Sequence, residues 1–300
     1  MNEILQHLIN GLSLGSIYAL IALGYTLVYG ILQLINFAHA DVYMMGAFIA
    51  YYVSRAVGTH LEPGWTYLIL LLVSSMIGCA LLGLMIERWA YRPLQKAPRI
   101  NLLITAIGVS LLLQNSAQLF LGADPKAFPQ VLPDLELIST AQLKLKTLDV
   151  AVFLVTLFIL GVLVFFVYRT RMGRAIRAVS QNSSVAALFG ISTSLTIAVT
   201  FATGSALAGV ASVLVGMKYP KIDPLMGVLM GMKAFVAAVL GGIGHLPGAV
   251  IGGLLMGLSE EMVVAYLSST YRDALAFGLL ILILWFRPKG LFGKNQTEKV

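Results

Sequence analysis

A single cysteine, Cys79, stands in the whole chain, and it lies inside an apolar run. No intramolecular disulfide can form, and no cysteine-based metal site can be assembled. Charge is scarce as well. Asp, Glu, Lys and Arg make up 11% of the residues, against about a quarter in soluble domains. There is no GxSxG elbow, no HExxH, no CxxC, and no pair of aspartates in facing apolar runs. Hydrolase, zinc-protease, thiol-redox and intramembrane-protease chemistries therefore have nothing to rest on. A GxxxxGK(S/T) phosphate loop is missing too, the nearest match being Gly293-Lys294-Asn295. If this chain moves a solute uphill with ATP, another chain must bind the nucleotide.

What is present is apolar length. Hydrophobic residues make up 59% of the chain and mean hydropathy is +0.89, which marks a polytopic membrane protein. The net charge of +7 is expected to mark topology, and no nucleic-acid partner is expected. Runs near the roughly 20 residues that cross a hydrocarbon core fall at 8–31, 37–54, 66–87, 101–121, 149–168, 195–216, 226–244, 247–267 and 274–287. The expectation is an all-α bundle of eight or nine crossings, forming one transmembrane unit over 1–300. The opening MNEILQHLINGLSLG lacks the basic n-region of a signal peptide, so the first run is expected to be retained.

Placing the C-terminal tail in the cytoplasm puts Arg88, Arg92, Lys96, Arg99, Arg169, Arg171, Arg174, Arg177, Arg287, Lys289, Lys294 and Lys299 on that side. The other side receives seven basic groups, three of them in one long external loop over 122–148, where charge counts for less. The asymmetry predicts N-out, C-in. The external loop carries Pro125, Pro129 and Pro133 and is short for a folded domain.

Small residues recur four apart as Gly11/Gly15, Gly204/Ala208, Gly227/Gly231, Gly248/Gly252 and Gly253/Gly257, a spacing that lets helix backbones approach in lipid. Two stretches break the helical pattern: 35–41, with Asn36, His39 and Asp41, and 241–250, with Gly242 among its glycines. Irregular backbone at membrane depth needs protein or a wet cavity to satisfy it, so both are candidate gates or broken helices, and a tight cytoplasmic turn also explains the second. Ionisable groups inside spans are costly, which singles out Lys233, Glu260 and Glu261. Lys233 is expected either to pair with Glu260 or Asp41 or to line a polar path. Of the adjacent glutamates, only one can face inward. His39 and His245 are expected to hydrogen-bond at helix ends, since no second histidine sits at ligand spacing.

The one long polar helix-forming stretch runs over 168–194. Its arginines follow directly on an apolar run, which marks the cytoplasmic side. MGRAIRAVSQ reads as a helix with Ile176 and Val179 on one side and Arg174, Arg177 and Gln181 on the other. Asn182, Ser183 and Ser184 offer N-cap oxygens to a second helix ending at Gly190. Such a unit would present Ala186 and Ala187 to a partner's groove, or rest on lipid headgroups through its arginines.

The order of elements resembles the cytoplasmic coupling loop of ATP-binding-cassette importer permeases, with AALFGI at 186–191 similar to their Glu-Ala-Ala signature. The resemblance is most specific to the permeases of branched-chain amino-acid uptake, the Liv type. It is carried by 10–48, ERWAYRPL at 87–94, MGRAIRAVSQN at 172–182, GMKAFVAAVLGGIGHLPGAVIGGLLMGLSE at 231–260 and RPKGLFG at 287–293. Two departures are Ala40-Asp41 in place of Gly-Glu and His245 in place of a small polar residue.

The resemblance implies a bacterial inner-membrane permease with a second homologous permease subunit, two ATPase subunits that bind ATP and magnesium, and a periplasmic substrate-binding protein. No cofactor would belong to this chain. Within 169–194, Arg174, Arg177, Asn182, Ala186, Ala187 and Gly190 would couple to the ATPase. Asn36, His39, Asp41, Lys233, Gly242 and Glu260 would line a path or gate. The substrate would be leucine, isoleucine, valine or another neutral amino acid. The alternatives are a related permease for urea or short amides, or an ion-coupled carrier using Asp41, Lys233 and Glu260 as a relay.

Overall fold

Nine apolar helices run back and forth in the computed structural model, which describes residues 2–57, 62–95, 97–140 and 143–293. Lys96, Lys294 and Lys299, assigned above to the cytoplasmic side, lie outside the described residues. In chain order the apolar helices are α1 (Asn2–Leu32), α2 (His39–Val57), α3 (Trp65–Ile86), α4 (Arg99–Leu121), α5 (Thr147–Arg169), α8 (Thr193–Lys218), α9 (Met226–Gly241), α10 (Leu246–Tyr266) and α11 (Arg272–Phe286). Two short polar helices, α6 (Arg171–Gln181) and α7 (Ser183–Leu188), stand between α5 and α8.

Every apolar run read from the sequence is a helix. Among the described residues, seven helical stretches are long and apolar enough to cross a membrane, the last being Ser269–Phe286, and α2 and α9 complete the nine. The 16 residues of α9 span about 24 Å, short of the ~30 Å hydrocarbon core. Its ends therefore leave backbone at depth that other elements must cover.

Burial sorts the helices. The most apolar window of α1 is 83% buried and that of α8 is 72%, whereas α4 and the Ser269–Phe286 stretch are at 17% and 6%. So α1 and α8 form the centre, and the outer helices turn their apolar faces to lipid. Small residues bring the central helices together. A Cβ on Gly257 of α10 would fall on the Gly15 backbone of α1, and one on Gly15 would stand 2.8 Å from Leu254 Cα. Gly252 faces the Ala237 carbonyl across α9 and α10, Gly227 and Gly231 face Ala40 across α9 and α2, and Gly204 faces Gly24 across α8 and α1.

The all-α expectation holds for the bundle and misses the loop at 122–148. There β1 (Lys126–Ala127) pairs antiparallel with β4 (Lys221–Ile222), while β2 (Glu136–Thr140) pairs with β3 (Leu143–Lys146). The prolines hide this order from a sequence reading. The loop is moored: Phe128 lies where a Cβ on Gly216 would strike it, and Gly64 N donates to the Val131 carbonyl at 2.9 Å. At the other end of the bundle, α3 passes into a π turn at Glu87–Tyr91 and a 3-10 turn at Arg92–Leu94, where Pro93 cannot continue the ladder.

Candidate functional site

The costliest groups in the chain meet in one cluster. Lys233 of α9 and Glu260 of α10 are brought into register where Gly248 and Gly252 let the two helices touch. Lys233 Nζ lies 3.0 Å from Glu260 Oε1 and 2.7 Å from Asp273 Oδ1, and Arg272 Nε lies 3.1 Å from the same Glu260 oxygen. Tyr18 Oη, from α1, donates to Glu260 Oε2 at 2.7 Å. The Glu260 side chain is 1% exposed and that of Lys233 9%, so two bases and two acids offset one another where a lone charge would be prohibitive. Of the two partners weighed for Lys233, Glu260 is the one it meets. Glu261 also turns to α1, meeting Asn10 Nδ2 at 3.1 Å and His7 Nδ1 at 3.3 Å, so both glutamates bond to the central helix where only one was expected to face inward.

Asp41 belongs to a separate group. Its Oδ1 accepts from Gln114 Nε2 of α4 at 2.9 Å, while Oδ2 and the nearby His39 Nε2 are buried without a protein partner. His39 opens α2, packs edge-on to Tyr25 with ring centroids 4.7 Å apart, and occupies the space a side chain at position 24 would need. Asn36 accepts from Tyr91 Oη at 2.8 Å, which fixes the chain between α1 and α2 to the π turn after α3. Among the described residues no three His, Cys, Asp or Glu side chains converge as a metal cluster.

The second irregular stretch is a capped turn. His245 accepts from Gly248 N through Nδ1 at 3.1 Å and so N-caps α10, which gives the histidine the task a small polar residue would have there. Gly242 has φ +101°. The tail segment packs on this turn: Leu291 N donates to the Leu240 carbonyl at 2.9 Å, Phe292 N to that of Gly241 at 3.2 Å, and Phe292 stacks on His245.

The polar unit after α5 folds as helix, break, helix. Thr170 caps α6 by accepting from Gly173 N at 3.0 Å, and Asn182 caps α7 by accepting from Val185 N at 3.0 Å. Gly190, at φ +79°, closes α7 in a Schellman arrangement: Ile191 N donates to the Ala186 carbonyl and Gly190 N to that of Ala187. Ile176 and Val179 are buried and Arg174 is exposed, as the pattern predicts.

Two residues differ from expectation. Ala186 is buried at 4%, because it faces back into the bundle, and only Ala187 of the pair is presented. Arg177 turns toward α5, donating to the Val167 carbonyl with its guanidinium 5.2 Å from the Tyr168 ring centroid. The surface is instead dominated by Leu188 and Phe189, which are 87% and 81% exposed.

Sequence reasoning missed Tyr18, Arg272, Asp273, Gln114 and Tyr91. Arg272 and Asp273 carried a signal, an adjacent charge pair at the head of an apolar run. The tyrosines and Gln114 carried none, since each looks like any residue of its helix.

The family model for the permease component of branched-chain amino acid transport systems matches residues 7–284. The chain is 44% identical over 300 residues to the high-affinity branched-chain amino acid transport system permease protein BraD of Pseudomonas aeruginosa, covering 99% of this chain and 98% of that one. It is 42% identical to the corresponding protein LivH of Escherichia coli, over 99% and 97% of the two chains. A probable branched-chain permease of Methanocaldococcus jannaschii is 28% identical over 94% and 90%. Among solved structures, PsaBC from Streptococcus pneumoniae in complex with Fab aligns over 97% of this chain and 92% of its own at 12% identity and TM-score 0.44.

Proposed function

This chain belongs to the family of branched-chain amino acid transport permease components, and on that premise we propose that it is the membrane-spanning subunit of an ATP-binding-cassette importer for leucine, isoleucine and valine. The observation that carries this reading is identity above 40% along essentially the full length of permeases named for that transport. The chain is a transport subunit, and ATP hydrolysis belongs to separate ATPase chains. It resides in the bacterial inner membrane beside a second, homologous permease, and a periplasmic binding protein delivers the substrate.

The geometry supports a division of labour. The α6–α7 unit exposes Leu188 and Phe189 on a short helix capped at both ends, a rigid apolar knob suited to a groove on an ATPase. Arg174 is free to meet acidic groups on that partner, whereas Arg177 carries motion into α5 through the Val167 carbonyl. Inside the bundle, the Lys233, Glu260, Arg272 and Asp273 cluster ties α9, α10 and α11 together, and rearranging it accompanies the change from one access state to the other. ATP drives that change only by binding the partner in a way that favours one of the two states.

The test is uptake of radiolabelled leucine into proteoliposomes holding the assembled complex, with ATP on one side or the other and with the binding protein present or omitted. Uptake that requires both is expected. Uptake by this chain alone on an ion gradient would overturn the importer reading in favour of a charge-relay carrier, and binding-protein-stimulated ATP hydrolysis with urea alone would overturn the substrate.

A further inference from the structure

A cavity of about 670 Å³ opens between residues 128–134 of the external loop and the adjoining ends of α1, α5, α8 and α10. That volume lies within the ~300–1,000 Å³ of small-molecule sites. Its walls differ in chemistry. One part is apolar, Val131, Leu132 and Met217, with Gln130 and the Asp134–Lys146 ion pair beside it on the loop side. The other holds Lys218, Asp149 and Glu261, whose side chains are 16%, 12% and 13% exposed. No part of the mechanism above uses these groups.

Their bonding is incomplete in a particular way. Lys218 Nζ uses two of its three N–H donors, on Ser13 Oγ at 2.7 Å and Asp149 Oδ1 at 3.2 Å. Glu261 receives Asn10 and His7 on the same oxygen, Oε1, which leaves Oε2 to accept. One ammonium donor and one carboxylate acceptor therefore remain in a cavity that Val131, Leu132 and Met217 also line.

We propose that this cavity binds a free α-amino acid with an apolar side chain, its α-carboxylate on Lys218, its α-ammonium on Glu261 and its side chain against Val131, Leu132 and Met217. A zwitterion carries both charges on one carbon and can use an ammonium donor and a carboxylate acceptor that line one cavity. Urea and short amides carry neither charge, so the site selects against them by leaving Lys218 and Glu261 unsatisfied. The loop is fixed as a wall by the pairing of β1 with β4 and by Phe128 against Gly216, so the site is largely formed before the ligand arrives. The assignment deepens the transport reading and rests on it, placing a station for the substrate on this chain beside the membrane.

The test uses the assembled, nucleotide-free complex in nanodiscs without the binding protein, and measures saturation binding of tritiated leucine by scintillation proximity. 4-Methylpentanoate, which lacks the ammonium, and 3-methylbutylamine, which lacks the carboxylate, serve as competitors. Saturable binding is expected, with each competitor at least tenfold weaker than leucine. Glu261→Gln and the cavity-filling Leu132→Trp, which leaves every charge in place, each weaken binding at least tenfold in complexes that still co-elute intact.

Loss in Glu261→Gln with wild-type binding in Leu132→Trp would reduce Glu261 to a strut between α1 and α10 and overturn the site. So would absence of saturable binding in a complex that still takes up leucine with ATP and binding protein, and that result would leave the transport reading standing. Failure of uptake would strike the transport reading, while leucine binding on the same preparation would still decide the pocket.

Discussion

Glu260 and Asp273 both face Lys233, yet removing them has unequal cost because their surroundings differ. Glu260 is 1% exposed and holds Lys233, Arg272 and Tyr18 together, whereas the Asp273 side chain is 50% exposed. Glu260→Gln strips a buried pair of its charge, with an expected loss of about 3 kcal/mol. Asp273→Asn is expected to cost under ~1 kcal/mol, as for exposed pairs. Thermal unfolding of the purified chain in detergent, followed by size-exclusion fluorescence, reads both, and equal shifts would sink the distinction. At the other end, His245→Ala is expected to cost about 1 kcal/mol by losing the cap on α10, and His245→Ser to recover most of it. Lys233 and Glu260 were legible in the sequence because a charge inside an apolar run stands out at any position. Tyr18 was not, since a tyrosine in a span gives no sign of which carboxylate its hydroxyl will find.

Helices in lipid gain little from hydrophobic association, so contact geometry decides which of them touch. Gly257 lies on Gly15, and Gly161 of α5 has nothing within 4 Å of where a Cβ would be. Gly257→Ala must push α10 off α1 and is expected to cost about 1–3 kcal/mol. Gly161→Ala is expected to be neutral or slightly stabilising, by up to ~1 kcal/mol from helix propensity. The same melts check the pair, and a neutral Gly257→Ala would refute the close approach. These pairs show how far the sequence reaches: a spacing of four marks a face that another helix can approach, but not which helix. Hence the five small-residue pairs were foreseen and their partners were not.

The polar unit was legible in its caps, Gly190 to the residue and the N-cap of α7 to the three candidates Asn182, Ser183 and Ser184, of which Asn182 serves, because N-cap oxygens and left-handed glycines are local chemistry. Its outward face was not, because Ala186 and Ala187 are told apart only by how α7 lies on the bundle. Gly190 has open space around it, so its requirement is the positive φ, and Gly190→Ala is expected to strain the turn by about 1 kcal/mol without a clash in the isolated chain. Leu188→Glu is expected to leave the chain's own melting unchanged and to abolish the stimulation of ATP hydrolysis by the binding protein in the assembled complex. Retained stimulation would remove Leu188 and Phe189 from the docking surface.

At the scale of the whole molecule, the described loops gather at two ends. Asn36 with Tyr91, the α6–α7 unit, and the 242–245 turn with the tail segment lie at one end. Gly64 with Val131, and β1 with β4, lie at the other. The fold thus agrees with an odd number of crossings. Orientation follows from the distribution of Lys and Arg, and because the arginines at 169–177 sit immediately beyond α5, where charge weighs most, the N-out, C-in reading rests chiefly on them. The lone cysteine makes this testable without engineering a background. Cys79 is fully buried between α2 and α3, with Sγ against the Val42 carbonyl, so the native chain is expected to be silent toward a membrane-impermeant maleimide. A cysteine in place of exposed Asp124 of the external loop is expected to label in intact spheroplasts, and one in place of exposed Ser184 of α7 only after the membrane is opened. The reverse pattern would invert the molecule, moving the α6–α7 knob away from any ATPase and the amino-acid cavity away from its supply. Labelling of both in intact cells would mean that the two loops share a face, which a single crossing by α5 between them does not allow.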